Sequence, residues 1–353
     1  MISAVFVSYR SAALAERAIA TFRGEARRTG REAEVIVVVN SGDGAERDAL
    51  VPHADRVLLP PRNLGFAGGL NAGIAAARGG TLLLANPDLL FCEGSVAALA
   101  DAAEAGGILA AGPALYADGA RSVLLPPAEE GRPEELVRRA LAADPARAAR
   151  VFRRDARRAA VQAERAAAGE SAAVRALSGA LVAVTRAALE AVGPFDEAYP
   201  LYYEENDWQR RLLVCGGRLV HVGGAHVVHL FAQSTKTEPR VAAWFEESEQ
   251  RYYAKHFGEA GRRGPARLAS CAPFEAPPLP VADRLSWDDP ALAAVAISPF
   301  RHFRPFALAL VPPGERRWTP PADLVAAHAG EALFVRAFAR ATGATLAEAR
   351  LAG

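Results

Sequence analysis

Three carboxylates, Glu204, Glu205 and Asp207, follow the aromatic run Tyr199-Pro200-Leu201-Tyr202-Tyr203 and precede a basic stretch containing Arg210 and Arg211. Carboxylates beside aromatic walls can supply a general base, because like charge and desolvation both raise their pKa values. The same acids also suit the first turn of a helix, where the dipole favours negative charge. That plainer reading fits Asp207 best and the acids nearest the aromatic wall least. Asp207 is expected to stay ionised beside Arg210 or Arg211 as a structural anchor.

Asp88 ends Asn86-Pro87-Asp88, where the apolar strand Thr81 to Ala85 stops. A carboxylate there can ligate a hard divalent cation that also bridges substrate phosphates. Alone, the tripeptide fits a turn, or the cap of a helix beginning near Ser95, at least as well. Strand alternation puts His226 and His229 on opposite faces, so they are not expected to share one ion. His229 by itself can complete a metal site begun at Asp88, although a core or edge position is the commoner fate of such a histidine. The Gly-rich segment Asn63 to Gly73 opens a helix whose amides can face a diphosphate. Tight packing explains such glycines equally well. The segment fits neither G-x-G-x-x-G nor the P-loop, which argues against dinucleotide and ATP binding.

Short apolar strands alternating with helices must position these groups. Ile2 to Ser8, Glu34 to Val39, Arg56 to Leu59 and Thr81 to Ala85 read as strands, with Ala12 to Phe22 an amphipathic helix after the first. Such a pattern predicts a mostly parallel sheet covered on both faces, with ligands beyond the carboxyl ends of its strands at Ser8, Asn40 and Asp88. From about 121 to 175 the composition shifts to Ala, Arg and Glu, an inserted helical excursion. Regular structure resumes at Leu177 to Val184, then a short helix capped by Thr185 and ended by Gly193. A helix then runs from at least Asp207 to Val214, and Arg218 to Val222 returns to strand. Past Gly258 a connection with Pro273, Pro277, Pro278 and Pro280 marks a boundary. The remainder is expected to carry a terminal amphipathic helix near Gly330 to Thr342.

The chain of 353 residues is 51% hydrophobic and 23% charged, with a formal net charge of +1. These values suit an ordinary globular protein and give no global reason to expect nucleic acid. Cys92, Cys215 and Cys271 form no disulfide or zinc spacing, which fits a reducing cytoplasm. No stretch reaches the roughly 18 apolar residues of a membrane span, so any membrane is met from its surface. The arginines at 138, 139, 150, 153, 154, 157 and 158 give the insertion a basic side that suits an anionic lipid-linked acceptor or, equally, plain solvation.

In their order, these pieces resemble family 2 of the inverting GT-A glycosyltransferases, especially its rhamnosyltransferase-like members. The matching residues are Val5 to Tyr9, Val37 to Ser41, Asn63 to Gly73, Leu83 to Asp88, Ser178 to Leu181, Gly193 to Glu197, Tyr203 to Asp207, and His229-Leu230 leading to Ser234-Thr235. The resemblance covers roughly residues 1–258, leaving 259–353 as a C-terminal extension. It implies an α/β nucleotide-diphospho-sugar transferase fold with the helical insertion.

The resemblance also implies roles. Asn86-Pro87-Asp88 stands for the family's Asp-x-Asp, with Asp88 and His229 holding Mg2+ or Mn2+. Glu205 takes the place of the catalytic Asp and is one methylene longer. Val39 replaces an acidic residue that helps hold the nucleotide base. Ser8, Tyr9, Asn40, Asn63, Gly65, Phe66, Gly69, Asn71, Asn86 and Asp88 are implied on the donor side. Tyr203, Glu204, Asp207 and Trp208 are implied at the acceptor or the site wall. The implied partners are a nucleotide-diphosphate sugar, first dTDP-rhamnose, and a glycan or lipid-linked acceptor, met in the cytoplasm at the inner face of the membrane. The alternatives are a UDP-sugar donor and an inactive scaffold that binds nucleotide sugar. A nucleotidyltransferase would carry a Gly-rich, basic loop after the first strand, unlike Tyr9 to Ala13.

Overall fold

A computed structural model describes residues 1–230, 239–268 and 278–351; Ser234, Thr235, Cys271, Pro273 and Pro277, singled out above, lie outside them. The chain divides into two compact units. The first comprises 1–114, 128–131 and 169–262, the second 115–127, 132–168 and 263–353.

In the first unit, the strand Ile2–Ser8 is buried along its whole length and lies parallel between Ala33–Val39 and Thr81–Ala85. Arg56–Leu58 adds a further parallel strand beside Ala33–Val39. These uninterrupted apolar runs suit strands covered on both faces. Beyond Thr81–Ala85 the sheet turns antiparallel through Leu181–Thr185 and Leu109–Tyr116. A mostly parallel sheet therefore describes the first four strands, and the later ones run the other way. A continuous apolar run marks a strand buried on both faces, which the antiparallel strands inside this sheet share with the parallel ones. Arg218–His229 pairs antiparallel with Leu89–Phe91 in a register that sets His229 opposite Leu89.

The helix Gly65–Ala76 lies very close to the first strand. A Cβ on Gly69 would come within 2.7 Å of Val7, and one on Gly73 within 2.2 Å of Val5. These two glycines thus serve close helix-to-strand packing. The helix Arg186–Val192 has the expected ends, with Ala188 N donating to Thr185 Oγ1 at 3.2 Å and Gly193 at φ 84°. The long helix Val241–Leu268 is broken at Gly258, φ 66°, and continues past it. The kink falls at Gly258, where a boundary was expected to follow, and the first unit ends at 262.

The second unit corrects the expected organisation. The insertion and the C-terminal extension, read as separate pieces, belong to one compact unit. The stretch 121–175 is not wholly helical: beside Pro133–Ala143 and Pro145–Ala167 it holds the strands Val123–Leu124 and Ala172–Val174. The expected terminal helix over Gly330 to Thr342 is instead the strand Phe334–Ala339, paired antiparallel with Ala293–Ser298 and Thr345–Leu351. Val335 and Ala337 sit in one apolar cluster and Phe338 in another, a two-sided burial that a period-two strand achieves. Pro145–Ala167 lays Phe152, Ala156, Ala160 and Ala163 against Ala294, Ala296, Phe303, Phe306, Leu308 and Phe338. No described helix is long and apolar enough to cross a membrane.

Candidate active site

Asp88 lies in the turn between Thr81–Ala85 and Leu89–Phe91, and backbone bonds fix it on both sides. Asn86 N donates to Ala180 O at 2.8 Å, and Leu230 N donates to Asp88 O at 3.0 Å. The register of Arg218–His229 then brings His229 Nε2 to 3.3 Å from Asp88 Oδ1. Asp88 is 1% exposed, yet its Oδ1 has no hydrogen-bond partner. A buried carboxylate oxygen without a donor costs free energy, and a cation would satisfy it. The pair offers one oxygen and one imidazole nitrogen, a partial set of the kind that substrate oxygens complete. No group of three or more His, Cys, Asp or Glu gathers into a metal site among the described residues.

At the ends of the parallel strands the side chains brace the loops. Asn40 Oδ1 accepts from Leu64 N at 2.8 Å and its Nδ2 donates to Gly65 O at 2.8 Å. Asn40 thereby clips the entrance of Gly65–Ala76, where Gly65 turns at φ 73°. Gly65 N donates in turn to Asn63 Oδ1. Ser8 Oγ donates to Glu46 Oε1 at 2.6 Å, Ser41 Oγ to Oε2 at 2.5 Å, and the backbone N–H groups of Arg10 and Ser11 both reach the same carboxylate at 2.9 Å. Glu46 was missed in the sequence, although it follows the second strand closely in Ser41-Gly42-Asp43-Gly44-Ala45-Glu46. It places a buried carboxylate between the ends of the first two strands, while Val39 is fully buried and apolar.

Glu204 and Glu205 open the helix Glu204–Val214, directly after its N-cap Tyr203. Tyr202 and Tyr203 both take left-handed φ, 66° and 67°, a costly conformation for aromatic residues. It is held from the helix Val241–Leu268: Tyr203 donates its hydroxyl to Glu249 Oε1 at 2.6 Å, and Ser248 Oγ donates to Leu201 O at 2.8 Å. Both glutamates leave a buried Oε2 without a hydrogen-bond partner. Burial first, then repulsion from Glu205, pushes the Glu204 carboxyl well above the usual range. Burial also raises Glu205, against backbone hydrogen bonds at Glu205, Tyr203 and Asn206. The Glu205 side chain lies over Gly179, whose added Cβ would meet Glu205 Cγ at 2.9 Å. Gln209 braces that stretch by accepting from Leu177 N at 2.7 Å and donating to Leu177 O at 2.8 Å. Since Ala180 O holds Asn86 N, the base candidate and the Asp88 turn share one support.

Asp207 has a different role. Burial would raise its pKa, but bonds from His256, Lys255 and Arg211 hold it far below the carboxylate range. Arg211 Nε lies 2.9 Å away, Lys255 Nζ 2.7 Å and His256 Nε2 2.8 Å. Arg210 or Arg211 was the expected partner, and Arg211 is the one that meets it; Lys255 and His256 were not foreseen, because they arrive from a distant helix.

Several residues implied at the site are engaged in packing or bracing. Trp208 is core: its ring stacks on Phe195 with centroids 5.3 Å apart, and Nε1 donates to Gly193 O at 2.9 Å. Asn71 turns away from the strand ends, bonding the backbone of Phe195 in both directions and Glu197 Oε1 at 2.9 Å. Gly69 is a packing glycine, and Phe66 leans on the apolar core. Tyr203 presents a buried ring among Phe245, Tyr252 and Tyr253. Tyr9 remains half-buried at the end of the first strand, under the Arg10 guanidinium at 5.4 Å.

Residues 3–159 match the family described as Glycosyl transferase family 2. Among solved structures, a crystal structure of GalNAc-T7 with UDP, GalNAc and Mn2+ is similar at 13% identity and TM-score 0.50, covering 78% of this chain and 56% of that one. This chain thus spans little more than half the length of that relative. The mannosyltransferase PcManGT from Pyrobaculum calidifontis, in complex with GDP-Man and Mn2+, has 14% identity and TM-score 0.47 over 76% of this chain and 73% of its own. S. aureus TarS has 12% identity and TM-score 0.42 over 76% and 68%. No curated protein matches the chain.

Proposed function

We propose that this chain, whose residues 3–159 match the family described as Glycosyl transferase family 2, moves one sugar from a nucleotide diphosphate to an acceptor hydroxyl, inverting the anomeric carbon. The observation that carries this reading is the shared support of Glu205 and Asp88 through Gly179, Ala180 and Asn86, with both side chains keeping a buried oxygen free of hydrogen bonds. Glu205 removes the proton from the acceptor hydroxyl as its oxygen attacks opposite the diphosphate. One carbon–oxygen bond forms as the bond to the diphosphate breaks, so no sugar is attached to the enzyme on the way. Burial raises the basicity of Glu205, which makes it a better match to a weakly acidic hydroxyl. Asp88 and His229 would hold a divalent cation, Mg2+ or Mn2+, whose charge offsets that developing on the leaving diphosphate.

Ser8, Tyr9, Asn40, Asn63, Gly65 and Asn86 shape the donor side, with Asn40 and Glu46 setting the loop positions rather than waiting as free donors. On the family resemblance, the donor is first dTDP-rhamnose and the acceptor a cell-surface glycan or a lipid-linked saccharide on the cytoplasmic face. A UDP-sugar is the second reading, because Val39 sets no carboxylate beside Asn40 to select a base. Melting curves with a panel of nucleotide sugars, with and without Mg2+ or Mn2+, test the proposal, since a tight ligand raises Tm by mass action. A metal-dependent shift with one donor, followed by its consumption when acceptor is added, is expected. A shift without any consumption of donor would leave a nucleotide-sugar-binding scaffold instead.

A further inference from the structure

We propose that the outer face of the helix Pro145–Ala167 is a docking surface for an anionic lipid bilayer. The helix buries Phe152, Ala156, Ala160 and Ala163 in the second unit. On the opposite side Arg150, Arg153, Arg154, Arg157 and Arg158 are all exposed. At 100° per residue these five fall within roughly 140° of arc, centred roughly 135° around the helix from the buried stripe. None of the five pairs with a carboxylate among the described residues. The nearby acid Asp155 points elsewhere and is bonded by Arg304. Val161, 53% exposed, falls within the same arc.

Charge decides the kind of partner. The net charge of the whole chain is only +1, so five uncompensated guanidinium groups on one stripe are set against a net-negative remainder. A polyanion that wraps the molecule meets that remainder, whereas a planar anionic surface can meet the stripe alone. The arc also contains no aromatic side chain on which bases would stack, as sites for single-stranded nucleic acid use. Four to eight basic residues on an amphipathic helix attract anionic headgroups, each adding a similar increment near the surface. Val161 gives the stripe an apolar contact that can enter the headgroup layer. This inference concerns binding alone and is independent of the assignment of the base and the cation.

The test is flotation of the full chain with vesicles of phosphatidylcholine alone and of phosphatidylcholine mixed with phosphatidylglycerol, at low and high salt. The expected result is binding to the anionic vesicles only, lost at high salt. The combined variant Arg150→Glu, Arg154→Glu and Arg157→Glu should bind at least about tenfold more weakly, with unchanged melting and unchanged response to nucleotide sugar. The corresponding Arg→Gln variant serves if the charge reversal disturbs folding. Equal binding to both vesicles, no binding at low salt, or full binding by the variants overturns the proposal. Preferential binding of an oligonucleotide in competition with the anionic vesicles overturns it in favour of a polymeric partner.

Discussion

The Glu205 side chain lies across the face of Gly179, with Cγ, Cδ and Oε1 at 2.9, 3.1 and 3.1 Å from the position a Cβ would take. A side chain at 179 must therefore displace Glu205 from Cγ outward. Gly179→Ala is expected to lower turnover by up to about 10²-fold, the penalty of displacing a reacting group by roughly 1 Å. Melting should change little. Unaltered turnover in the alanine variant would show that this contact does not set the position of the base.

Asp88→Ala should abolish transfer while leaving the fold intact. Asp88 Oδ1 makes no hydrogen bond and meets only the His229 ring nitrogen at 3.3 Å, so its loss removes little that holds the fold. Metal-dependent donor shifts in Tm should vanish with the activity. Retention of full, metal-dependent turnover would remove the ion site from Asp88.

Asp207→Asn should destabilise the protein without acting on the chemistry directly. Its carboxylate is fully buried and meets Arg211, Lys255 and His256, and uncoupling one member of such a cluster costs about 3 kcal/mol or more. The folded pKa is depressed, so this stabilisation is present above the ordinary carboxylate pKa and is lost as pH falls toward the folded value. Urea unfolding should therefore show a gap between wild type and variant at neutral pH that narrows in acid. A gap independent of pH would mean that the charge of Asp207 is not what stabilises.

Glu204→Gln should act with the opposite sign. Burial and Glu205 raise the Glu204 pKa in the folded state, so its neutral form supports the fold below the ordinary carboxylate pKa, and that support is lost as pH rises through the folded value. The variant cannot ionise and should melt a few degrees above wild type at alkaline pH, on the order expected for about 1 kcal/mol. Equal melting across the pH range would show that Glu204 ionises without cost.

Much of the first unit was legible because local chemistry determined it. The strands Ile2–Ser8 and Thr81–Ala85 are continuous apolar runs bounded by polar turns, and their limits were read as they stand. Thr185 and Gly193 announced both ends of a helix through capping and left-handed backbone. Arg210 or Arg211 was visible as a partner for Asp207, and Arg211, four residues on, is the one that meets it. Glu249, Lys255 and His256 were not, since only tertiary folding brings Val241–Leu268 to the turn before Glu204. Asn71 and Trp208 were carried to the site by motif order, yet their side chains face Phe195. Motif position gives a place on the chain, not a direction in space. Phe334–Ala339 was misread because an Ala-rich run satisfies helical composition while its burial follows a strand.

The proposed base, Glu205, can be tested on its own. Glu205→Gln keeps the shape of the side chain but cannot accept the acceptor proton. With the donor that raises Tm, single-turnover transfer by Glu205→Gln, Glu204→Gln and Asp207→Asn should be measured beside wild type, together with donor affinity. A loss of roughly 10²- to 10⁴-fold in turnover is expected for Glu205→Gln, with donor affinity nearly unchanged. Near wild-type turnover for Glu205→Gln, with the loss appearing in Glu204→Gln or Asp207→Asn instead, would contradict that assignment.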